Sequence, residues 1–408
     1  MKKVWDKWTR IALVKRILVG LILGAILGIA VPQATGIAIL GDVFVSALKA
    51  IAPLLVFFLV ISSLCNAGKS HGGVIKTVII LYMFSTVLAA VIAVFASMAF
   101  PVKMTLANAA TDTSAPQGIV EVLNNLLLNV VANPVSSLVN ANYVGILMWA
   151  VLLGLAFRAA DKMTKKVLAD VADGISMVVT WIINLAPFGI FGLVFNTVST
   201  NGLDIFTIYG KLLLLLVGCM LFIYFVTNPL LVYWCIRQNP YPLIFQCLKR
   251  SALTAFFTRS SAANIPVNMK VCEEMGLDRD TYSVTIPLGA TINMDGAAIT
   301  ITVMTMATAF TLGIHVDIPT AIILSLLAAL SACGASGVAG GSLLLIPMAC
   351  SLFGISDDIS MQVVAVGFII GVVQDSVETA LNSSSDLLLS ASAEFRQWRL
   401  EGKEIKFK

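Results

Sequence analysis

Charged residues are scarce in this sequence. Of its 408 residues only 12% are Asp, Glu, Lys or Arg, whereas 59% are hydrophobic. Soluble domains contain about 25% charged residues, so the composition excludes that class and predicts an integral membrane protein. The net charge of +4 is also too small to favour a nucleic-acid partner.

Histidines are few, and closely spaced pairs of cysteines are absent from the sequence. The only histidines are His71 and His315, and the seven cysteines show no paired spacing. Zinc sites and disulfide frameworks both depend on such residues at short, regular intervals. The sequence therefore predicts neither, and we interpret the cysteines as small apolar packing residues.

Long apolar runs are abundant instead. The first, Ile17 to Val31, follows a basic N-terminus but is longer than most signal-peptide cores, so we interpret it as an uncleaved span. The fourth run is broken at Asn133-Pro134, which favours two or three shorter pieces. Runs of spanning length lie near 11–32, 43–66, 75–100, 121–157, 167–199 and 207–236.

Lysine and arginine are concentrated in alternate connecting segments. The basic segments are 1–16, 66–76, 158–166, 237–250, 270–280 and 396–408. By the positive-inside rule they are cytoplasmic, which predicts that both termini lie in the cytoplasm. The remaining segments contain only Lys103 and are predicted to be external: 33–42, 101–120, 200–206, 313–319 and 354–359.

Under this alternation two apolar segments must enter and leave the membrane on the same side. Residues 242–269 lie between two cytoplasmic segments, and residues 318–352 lie between two external ones. Small and polar residues interrupt them around 258–266 and 331–342. Each is either a buried hairpin packed for close helix approach or a re-entrant hairpin whose tip reaches mid-membrane. We favour re-entrant hairpins, because paired interruptions are typical of a transporter's binding site.

The apolar run 282–312 has Asn293 and Asp295 near its centre. Pro287, Gly289 and Gly296 weaken the helix on either side, which predicts local unwinding at Asn293. The freed carbonyls and Asp295 would offer hard oxygen ligands that suit a small cation such as sodium. The alternative is a kinked helix in which Asp295 caps a broken turn.

The last apolar segment, from about 360 to 389, carries three carboxylates where a membrane helix is expected to carry none. Each carboxylate costs roughly 2.5–3.5 kcal/mol or more at the bilayer centre. At about 3.6 residues per turn, five polar residues share one helix face. They are Asp375, Glu378, Thr379, Asn382 and Asp386. A polar stripe of this cost indicates the wall of a binding site or ion path.

Arg259 is the only basic residue expected deep in the membrane, because Lys49, Lys103 and Lys211 are expected to reach an interface. Four carboxylates are expected at the same depth, namely Asp295, Asp375, Glu378 and Asp386. One positive and four negative charges leave −3, which is untenable in isolation. Cations must join the carboxylates or protons must neutralise some of them, and either route predicts a cation-coupled transporter.

Four motifs occur in order along residues 250–390. They are a serine-rich tip ending in Pro266, the Asn293-Met294-Asp295-Gly296 kink, the Gly337-Val338-Ala339-Gly340 tip, and an Asp…Thr…Asn…Asp final helix. Together they resemble the dicarboxylate/amino acid:cation symporters, the glutamate-transporter homologues, and the match with the bacterial sodium:serine/threonine symporters among them is close. The resemblance implies an all-α polytopic fold with eight transmembrane helices, two oppositely oriented re-entrant hairpins and inverted repeats.

The same resemblance implies a division of labour along the chain. Residues 1–240 would be mostly scaffold, with the third and sixth spans moving with the transport part. Residues 241–395 would contain hairpin 1, the broken seventh helix, hairpin 2 and the eighth helix, which form the substrate and cation core. The protein would be a homotrimer in the bacterial inner membrane, and the second hairpin would act as the external gate.

The resemblance also implies residue roles. Asp375 would bind the substrate ammonium, Asn382 and Ser261 its α-carboxylate, and Arg259 and Val338 would offer carbonyls. The full substrate set is Arg259, Ser260, Ser261, Val338, Asp375, Glu378, Thr379 and Asn382. The first sodium would be bound by Gly289, Asn293, Asn382 and Asp386. The second would be bound by Thr291, Met294, Ala332, Cys333 and Ala335. A third would be bound by Tyr82, Ser85, Thr86, Asn293 and Asp295.

Two departures from the family pattern bear on the substrate. Glu378 stands where members that transport acidic substrates have an arginine, and a glutamate repels a second substrate carboxylate at short range. Ala297 replaces the threonine that follows the kink, and Ala262 and Ala263 thin the usual serine cluster. A small neutral amino acid with a hydroxyl is then expected, because Glu378 can accept its hydrogen bond. Alternatively, Glu378 pairs with Arg259 and balances charge; both interpretations can hold together.

The sequence therefore predicts sodium-coupled symport of serine and threonine by alternating access, and no enzymatic activity. A proton in place of sodium, or another small neutral or acidic amino acid as substrate, is an alternative. An intramembrane aspartyl hydrolase would need a close aspartate pair, such as Asp295 with Asp375, and would leave the hairpins without a role. An ion channel would need no closed substrate site.

Overall fold

The computed structural model is helical throughout the elements it describes, and it describes residues 11, 13–66, 73–106, 128, 131–333, 335 and 340–405. Apolar runs favour helices in a bilayer because no water is present to satisfy open backbone groups. Six of the described helical stretches are long and apolar enough to cross a membrane. The chain is therefore a multi-pass membrane protein.

The described helices follow one another along the chain in this order. The first are α1 (Leu13–Ala30), α2 (Ala38–Asn66), α3 (Gly73–Ala99), α4 (Pro134–Val139), α5 (Tyr143–Ala156), α6 (Lys162–Asn184), α7 (Ala186–Asn201), α8 (Asp204–Phe222) and α9 (Asn228–Ile236). They are followed by α10 (Tyr241–Cys247), α11 (Leu253–Thr258), α12 (Ser261–Glu274), α13 (Arg279–Ile292), α14 (Asp295–Thr311), α15 (Ile318–Ala332), α16 (Ile346–Ser351) and α17 (Asp357–Leu400).

One group of helices packs around α2, which contacts α5, α6 and α7, while α1 packs along α7. Glycines at every fourth position of α1 allow this close approach. A Cβ on Gly20 would lie 2.2 Å from the Pro187 carbonyl oxygen, and one on Gly24 would lie 2.6 Å from that of Phe191. Small residues at this spacing let backbones come together where lipid provides no hydrophobic drive.

The run near 167–199 forms two helices rather than the single span expected from its hydrophobicity. Helix α6 ends at Asn184, and α7 begins at Ala186 with Pro187 in its first turn. A proline ring clashes with the carbonyl of a preceding helical turn, yet it is well suited to a helix start. The break therefore follows from Pro187, which the hydrophobic pattern of the run does not take into account.

A second group surrounds α14 and α17. Helix α17 packs against α3, α8, α9, α11, α12, α13 and α14, and α14 also packs against α3, α8 and α15. The sixth apolar run belongs to this group and is interrupted by a π-helical turn at Ile223–Thr227, just before Asn228 and Pro229. Such single-turn bulges are frequent at functional sites.

Three other interruptions of helix occur where the sequence predicts them. Helix α13 ends at Ile292 and α14 begins at Asp295, which confirms the predicted interruption at Asn293. Between α11 and α12 Arg259 adopts a left-handed conformation with φ +53°. The second interrupted segment passes from α15 through a 3₁₀ turn, Gly341–Leu345, into α16.

Candidate functional site

The polar stripe predicted for the last apolar segment lies on one continuous helix, α17, whose 44 residues contain no break. All five side chains are buried: Asp375, Glu378, Thr379, Asn382 and Asp386. They face α3, α11, α13 and α14, so each buried charge must find its partners on other elements. Those partners separate the stripe into distinct clusters.

The first cluster joins Asp386 to the break between α13 and α14. Asn293 Nδ2 donates a hydrogen bond to Asp386 Oδ1 (2.9 Å) and approaches the Asn382 carbonyl oxygen (3.5 Å). Gly289 lies against the same carboxylate, because a Cβ there would be 2.8 Å from Asp386 Oδ1. The structure therefore brings together all four residues of the first predicted cation set.

Asn293 Oδ1 has no hydrogen-bond partner among the described residues, although it is fully buried. A buried acceptor without a donor is destabilising and needs an explanation, such as a bound ion. A small cation would satisfy this oxygen, and the adjacent Asp386 carboxylate would neutralise its charge. The residues present therefore fit a sodium ion here.

The second cluster surrounds Asp295 in the first turn of α14. Ser85 Oγ donates to Asp295 Oδ2 (2.8 Å), and Thr86 Oγ1 donates to Asp295 Oδ1 (3.2 Å). The Met294 backbone N–H donates to Thr86 Oγ1 (3.2 Å). Asp295 thus bonds to α3 rather than capping a broken turn, and the kinked-helix alternative is wrong in that respect.

Tyr82, the remaining member of the third predicted cation set, points elsewhere. Its hydroxyl donates to the backbone carbonyls of Asp386 (2.8 Å) and Thr285 (3.3 Å). It therefore belongs with the Asp386 cluster in this structure. Asn293 was predicted for both cation sets, but its described side-chain hydrogen bonds go only to Asn382 and Asp386 on α17.

The residues predicted for the second cation are only partly brought together. Cys333 Sγ approaches the Ile292 carbonyl oxygen (3.7 Å), which places the end of α15 beside the break. Thr291 Oγ1, however, donates within its own helix to Leu288 (2.7 Å). Met294 Sδ accepts a hydrogen bond from Asn382 Nδ2 (3.5 Å). Ala332 and Ala335 are linked by a backbone hydrogen bond (2.9 Å).

Arg259 forms an ion pair with Asp375. Its Nε lies 2.6 Å from Asp375 Oδ2, and the two side chains are 10% and 5% exposed, which makes this a buried pair. The Gly340 backbone N–H donates to Asp375 Oδ1 (3.2 Å). Residues from both interrupted segments, Arg259 from the first and Gly340 from the second, therefore bind the Asp375 carboxylate. The alternative pairing of Arg259 with Glu378 is wrong, because Asp375, one turn away on α17, occupies the guanidinium.

Glu378 is anchored by neutral donors instead. Its Oε2 accepts hydrogen bonds from Thr300 Oγ1 (2.7 Å), Ser342 Oγ (2.9 Å) and Gln374 Nε2 (2.5 Å). Gln374 also donates to Thr300 (2.8 Å). All the described hydrogen bonds of this carboxylate end on Oε2, so Oε1 is the oxygen available to a further donor.

The other predicted substrate residues have local partners. Asn382 Oδ1 accepts from the Gly296 N–H (2.7 Å), and Thr379 Oγ1 donates to the Asp375 carbonyl (2.7 Å). Ser260 Oγ caps α12 by accepting from the Ala263 N–H (3.2 Å). Ser261, the first residue of α12, is buried. Val338 lies outside the described residues.

Several polar residues that matter here escaped the sequence analysis. Asn228 bridges the clusters, because its Nδ2 donates to Ser385 Oγ (3.0 Å) and its Oδ1 accepts from Ser85 Oγ (3.4 Å). Its position before Pro229 in an apolar run was the available signal. Asn264 and Asn268 both bond to Ser383, which ties α12 to α17. Gln374 and Thr300 carried no such local signal, and Ser342 was marked only as part of the interrupted segment 331–342.

Charge is left over after these contacts. Within the described residues, Asp295, Glu378 and Asp386 form no ion pair. The same part of the chain contains no group of three His, Cys, Asp or Glu side chains arranged to hold a metal ion. The predicted cation sites instead combine carboxylate oxygens with amide and backbone oxygens, which is oxygen chemistry suited to a hard cation.

Comparisons with known proteins identify the family of this chain. The model of the sodium:dicarboxylate symporter family matches residues 13–394. The chain is 57% identical over 406 residues to a serine/threonine transporter SstT of Bifidobacterium adolescentis, covering 99% of this chain and 94% of that protein. It is 55% identical over 400 residues to the serine/threonine transporter SstT of Streptococcus thermophilus strain LMG 18311, covering 98% of this chain and 100% of that protein. The chain therefore belongs to the sodium:dicarboxylate symporter family.

Proposed function

We propose that this protein imports serine and threonine by sodium symport with alternating access. The observation that carries the proposal is the buried cluster at the helix break, where the unpartnered Asn293 Oδ1 lies beside Asp386. Three buried carboxylates without ion pairs need bound cations or protons. Relatives that are 55–57% identical over nearly the whole chain are named as serine/threonine transporters, which supports the substrate assignment.

Coupling follows from the connection between the clusters. The Asn382 carbonyl oxygen accepts from Asn293 Nδ2 in the Asp386 cluster, and its Oδ1 accepts from the Gly296 N–H. Asn382 is also the residue proposed to hold the substrate carboxylate. A cation bound at Asn293 and Asp386 would fix the Asn382 backbone and thereby orient this side chain. Sodium at the first site and amino acid at the second would thus stabilise each other.

Asp375 is the proposed partner of the substrate ammonium. In this structure the Arg259 guanidinium and the Gly340 N–H occupy its two oxygens. Entry of the amino acid would replace the guanidinium by the ammonium group, so that Asp375 stays paired throughout. The Asp375 carboxylate thereby avoids the penalty of several kcal/mol for a buried charge without a partner.

Glu378 is the proposed selectivity residue. The three donors on Oε2 hold the carboxylate in place and leave Oε1 for the substrate hydroxyl. A hydrogen bond from a hydroxyl to a charged acceptor contributes about 1.5–3 kcal/mol. The same carboxylate would repel the second acid group of aspartate or glutamate, and neutral amino acids with a hydroxyl would be preferred.

We expect Glu378→Gln to raise the KM for serine by roughly tenfold or more, because an amide is a weaker acceptor and its NH₂ disrupts the three-donor arrangement. Alanine, which lacks the hydroxyl, should be transported with little change. Uptake of both amino acids into proteoliposomes measures the two KM values. Thr300→Val, which removes one donor on Oε2, should shift the ratio in the same direction by less. Equal effects on serine and alanine would show that Glu378 does not face the hydroxyl.

The remaining predicted cation sites belong to the same proposal. Asp295 with Ser85 and Thr86 offers four side-chain oxygens for the third predicted cation. The site of Thr291, Met294, Ala332, Cys333 and Ala335 would form around the backbone carbonyls at the ends of α13 and α15. We propose sodium for these positions, since backbone carbonyls cannot bind a proton but do coordinate hard cations.

The architecture we propose has eight transmembrane helices, two re-entrant hairpins and inverted repeats. The packing of α1, α2, α5, α6 and α7 with one another supports a scaffold within residues 1–240. Contacts of α3, α8 and α9 with α14 or α17 support movement of the third and sixth spans with residues 241–395. A homotrimer in the bacterial inner membrane, with both termini in the cytoplasm, completes the proposal.

Two contacts support an inward-facing arrangement. Arg259 and Asp375 lie beside Ile17, near the basic and therefore cytoplasmic end of α1. Asp357 and Asp358, at the external start of α17, reach Lys49 with distances of 3.2 and 2.7 Å to its Nζ. Lys49 lies inside α2, eleven residues from the external end at Ala38, which is roughly 16 Å along the helix axis. The transport part would thus be displaced toward the cytoplasm.

We expect Lys49→Gln to shift the population toward the outward-facing state, because it removes two ion pairs that form in the inward arrangement proposed here. The pairs are partly exposed, so each contributes at most about 1 kcal/mol and the shift should be a fewfold change. Single-molecule fluorescence transfer between labels at Thr200 and His315 would report it. Lys49→Arg should leave the distribution unchanged, and Asp358→Asn should reproduce part of the shift. Identical distributions for Lys49→Gln and wild type would contradict the assignment.

The competing functions predict different behaviour. Membership of a symporter family decides against a hydrolase, and Asp295 and Asp375 have separate partners rather than forming a dyad. A channel would not accumulate solute against a gradient. Proton coupling remains a distinct alternative, since protons can also neutralise the unpaired carboxylates.

Proteoliposomes loaded without sodium test the whole proposal. Labelled serine and threonine should accumulate when a sodium gradient is imposed, alanine should enter more slowly, and aspartate should be excluded. Accumulation driven by a proton gradient alone would identify the proton as coupling ion. A preference for aspartate over serine would contradict the role proposed for Glu378.

A further inference from the structure

An apolar groove between α3 and α8 takes no part in the proposed transport site. Its volume is about 840 Å³, which is large enough for acyl chains. Several lining side chains are strongly exposed on the described surface, including Phe95 at 56% and Leu214 at 74%. The apolar lining includes Ile92, Phe95, Phe100, Leu214, Leu215 and Phe222.

Two lysines lie at the external end of this groove. Lys211 lines it directly, and Lys103 follows Pro101 and Val102, which also line it. The segment is held in place because the Met104 N–H donates to Thr311 Oγ1 (2.8 Å). Both lysines are exposed.

These lysines are exceptions in the charge distribution. Only four of the 26 basic residues lie outside the basic cytoplasmic segments. Of these four, Lys211 lines the groove and Lys103 follows directly after the lining residues Pro101 and Val102. Lys211 is seven residues into α8, roughly 10 Å from its external end, and its side chain can extend part of that way toward the surface. Apolar walls with two cations at the rim match a lipid that has acyl chains and a negative headgroup.

We propose that this groove binds an anionic phospholipid of the outer leaflet. Its acyl chains lie along α3 and α8, and its phosphate lies between Lys103 and Lys211. A lysine near the membrane surface attracts anionic lipid with an energy equivalent to about a fivefold preference. The site is independent of the sodium and substrate sites, so it stands or falls separately from the proposed function.

Brominated lipids test the site directly, because bromine quenches tryptophan only at short range. Phe95→Trp places a reporter in the groove. Phe84→Trp is the matched control, on the same helix and 53% exposed, but not among the groove residues. Vesicles of phosphatidylcholine would contain increasing fractions of brominated phosphatidylglycerol or, in parallel, brominated phosphatidylcholine. Quenching is taken as the difference from the protein without the added tryptophan.

We expect phosphatidylglycerol to quench Phe95→Trp at about a fivefold lower mole fraction per contributing lysine than phosphatidylcholine does. Replacing both Lys103 and Lys211 by Gln should remove this preference, whereas Lys162→Gln on the cytoplasmic side should keep it. Phe84→Trp should respond equally to both lipids. Equal quenching of Phe95→Trp by both lipids would mean ordinary annular lipid only. Absence of quenching by either would mean that protein covers the groove; each of these results overturns the proposal.

Discussion

Replacing Asp386 with asparagine should abolish sodium-driven serine uptake at ordinary sodium concentrations. The change preserves the size of the side chain and its contact with Asn293 but removes the negative charge at the proposed cation site. Two unit charges about 4 Å apart interact with about 4 kcal/mol at an effective dielectric constant near 20. Even half of that energy corresponds to roughly a thirtyfold change in affinity.

The sodium concentration for half-maximal uptake should therefore rise by at least about thirtyfold, and the thermal stabilisation of the purified protein by sodium should decline with it. Asp170→Asn is the matched control, since Asp170 is exposed on α6 and far from the clusters in the chain. Wild-type sodium dependence of uptake in Asp386→Asn would exclude Asp386 as a cation ligand. A variant that loses sodium-induced stabilisation but stays monodisperse separates a lost site from misfolding.

Asp375→Asn should have the second large effect, because Asp375 is both the partner of Arg259 and the proposed anchor of the substrate ammonium. Removing one member of a buried ion pair costs about 3–5 kcal/mol, since the other charge is left unpaired. Serine uptake should therefore fall by at least a hundredfold, a factor that about 3 kcal/mol would produce.

The substrate analogue glycerate gives this prediction a specific readout. Glycerate is serine with a hydroxyl in place of the ammonium group, so it does not need the negative charge of Asp375. We expect the ratio of glycerate to serine uptake to rise in Asp375→Asn, whereas sodium-induced stabilisation should persist because the Asp386 cluster remains intact. An unchanged ratio would show that Asp375 acts only through Arg259. Asp375→Glu, which retains the charge, should keep the wild-type ratio.

The sequence predicts those features that depend on nearby residues. The break at Asn293 follows from Pro287 and the flanking glycines, which weaken the helix over less than three turns. The polar stripe of α17 follows from helical periodicity alone, since one helix carries all its members. The exception is the extra break before α7, where Pro187 outweighs a continuous hydrophobic pattern.

The partners of each charge could not be predicted in this way. Glu378 and Asp375 are three residues apart on the same helix face. Helical periodicity therefore cannot distinguish an ion pair of Arg259 with Asp375 from one with Glu378. The structure pairs Arg259 with Asp375, 116 positions later in the chain, and gives Glu378 donors from α14 and the 3₁₀ turn before α16. Which carboxylate is anionic and ion-paired depends on how the two interrupted segments meet α17.

The missed residues illustrate the same limit. Thr300 lies in an apolar helix without a local feature that marks it as functional. Ser342 lies in the interrupted segment 331–342, but the sequence does not show that Glu378 is its partner. Lys49 finds Asp358 at a separation of 309 residues. The sequence alone determined the membrane class, the helix breaks other than the one before α7, and the set of buried charges, because these depend on composition and local backbone chemistry. Only the tertiary structure decided how the charges are paired, because burial makes every pairing a matter of which distant helices pack together.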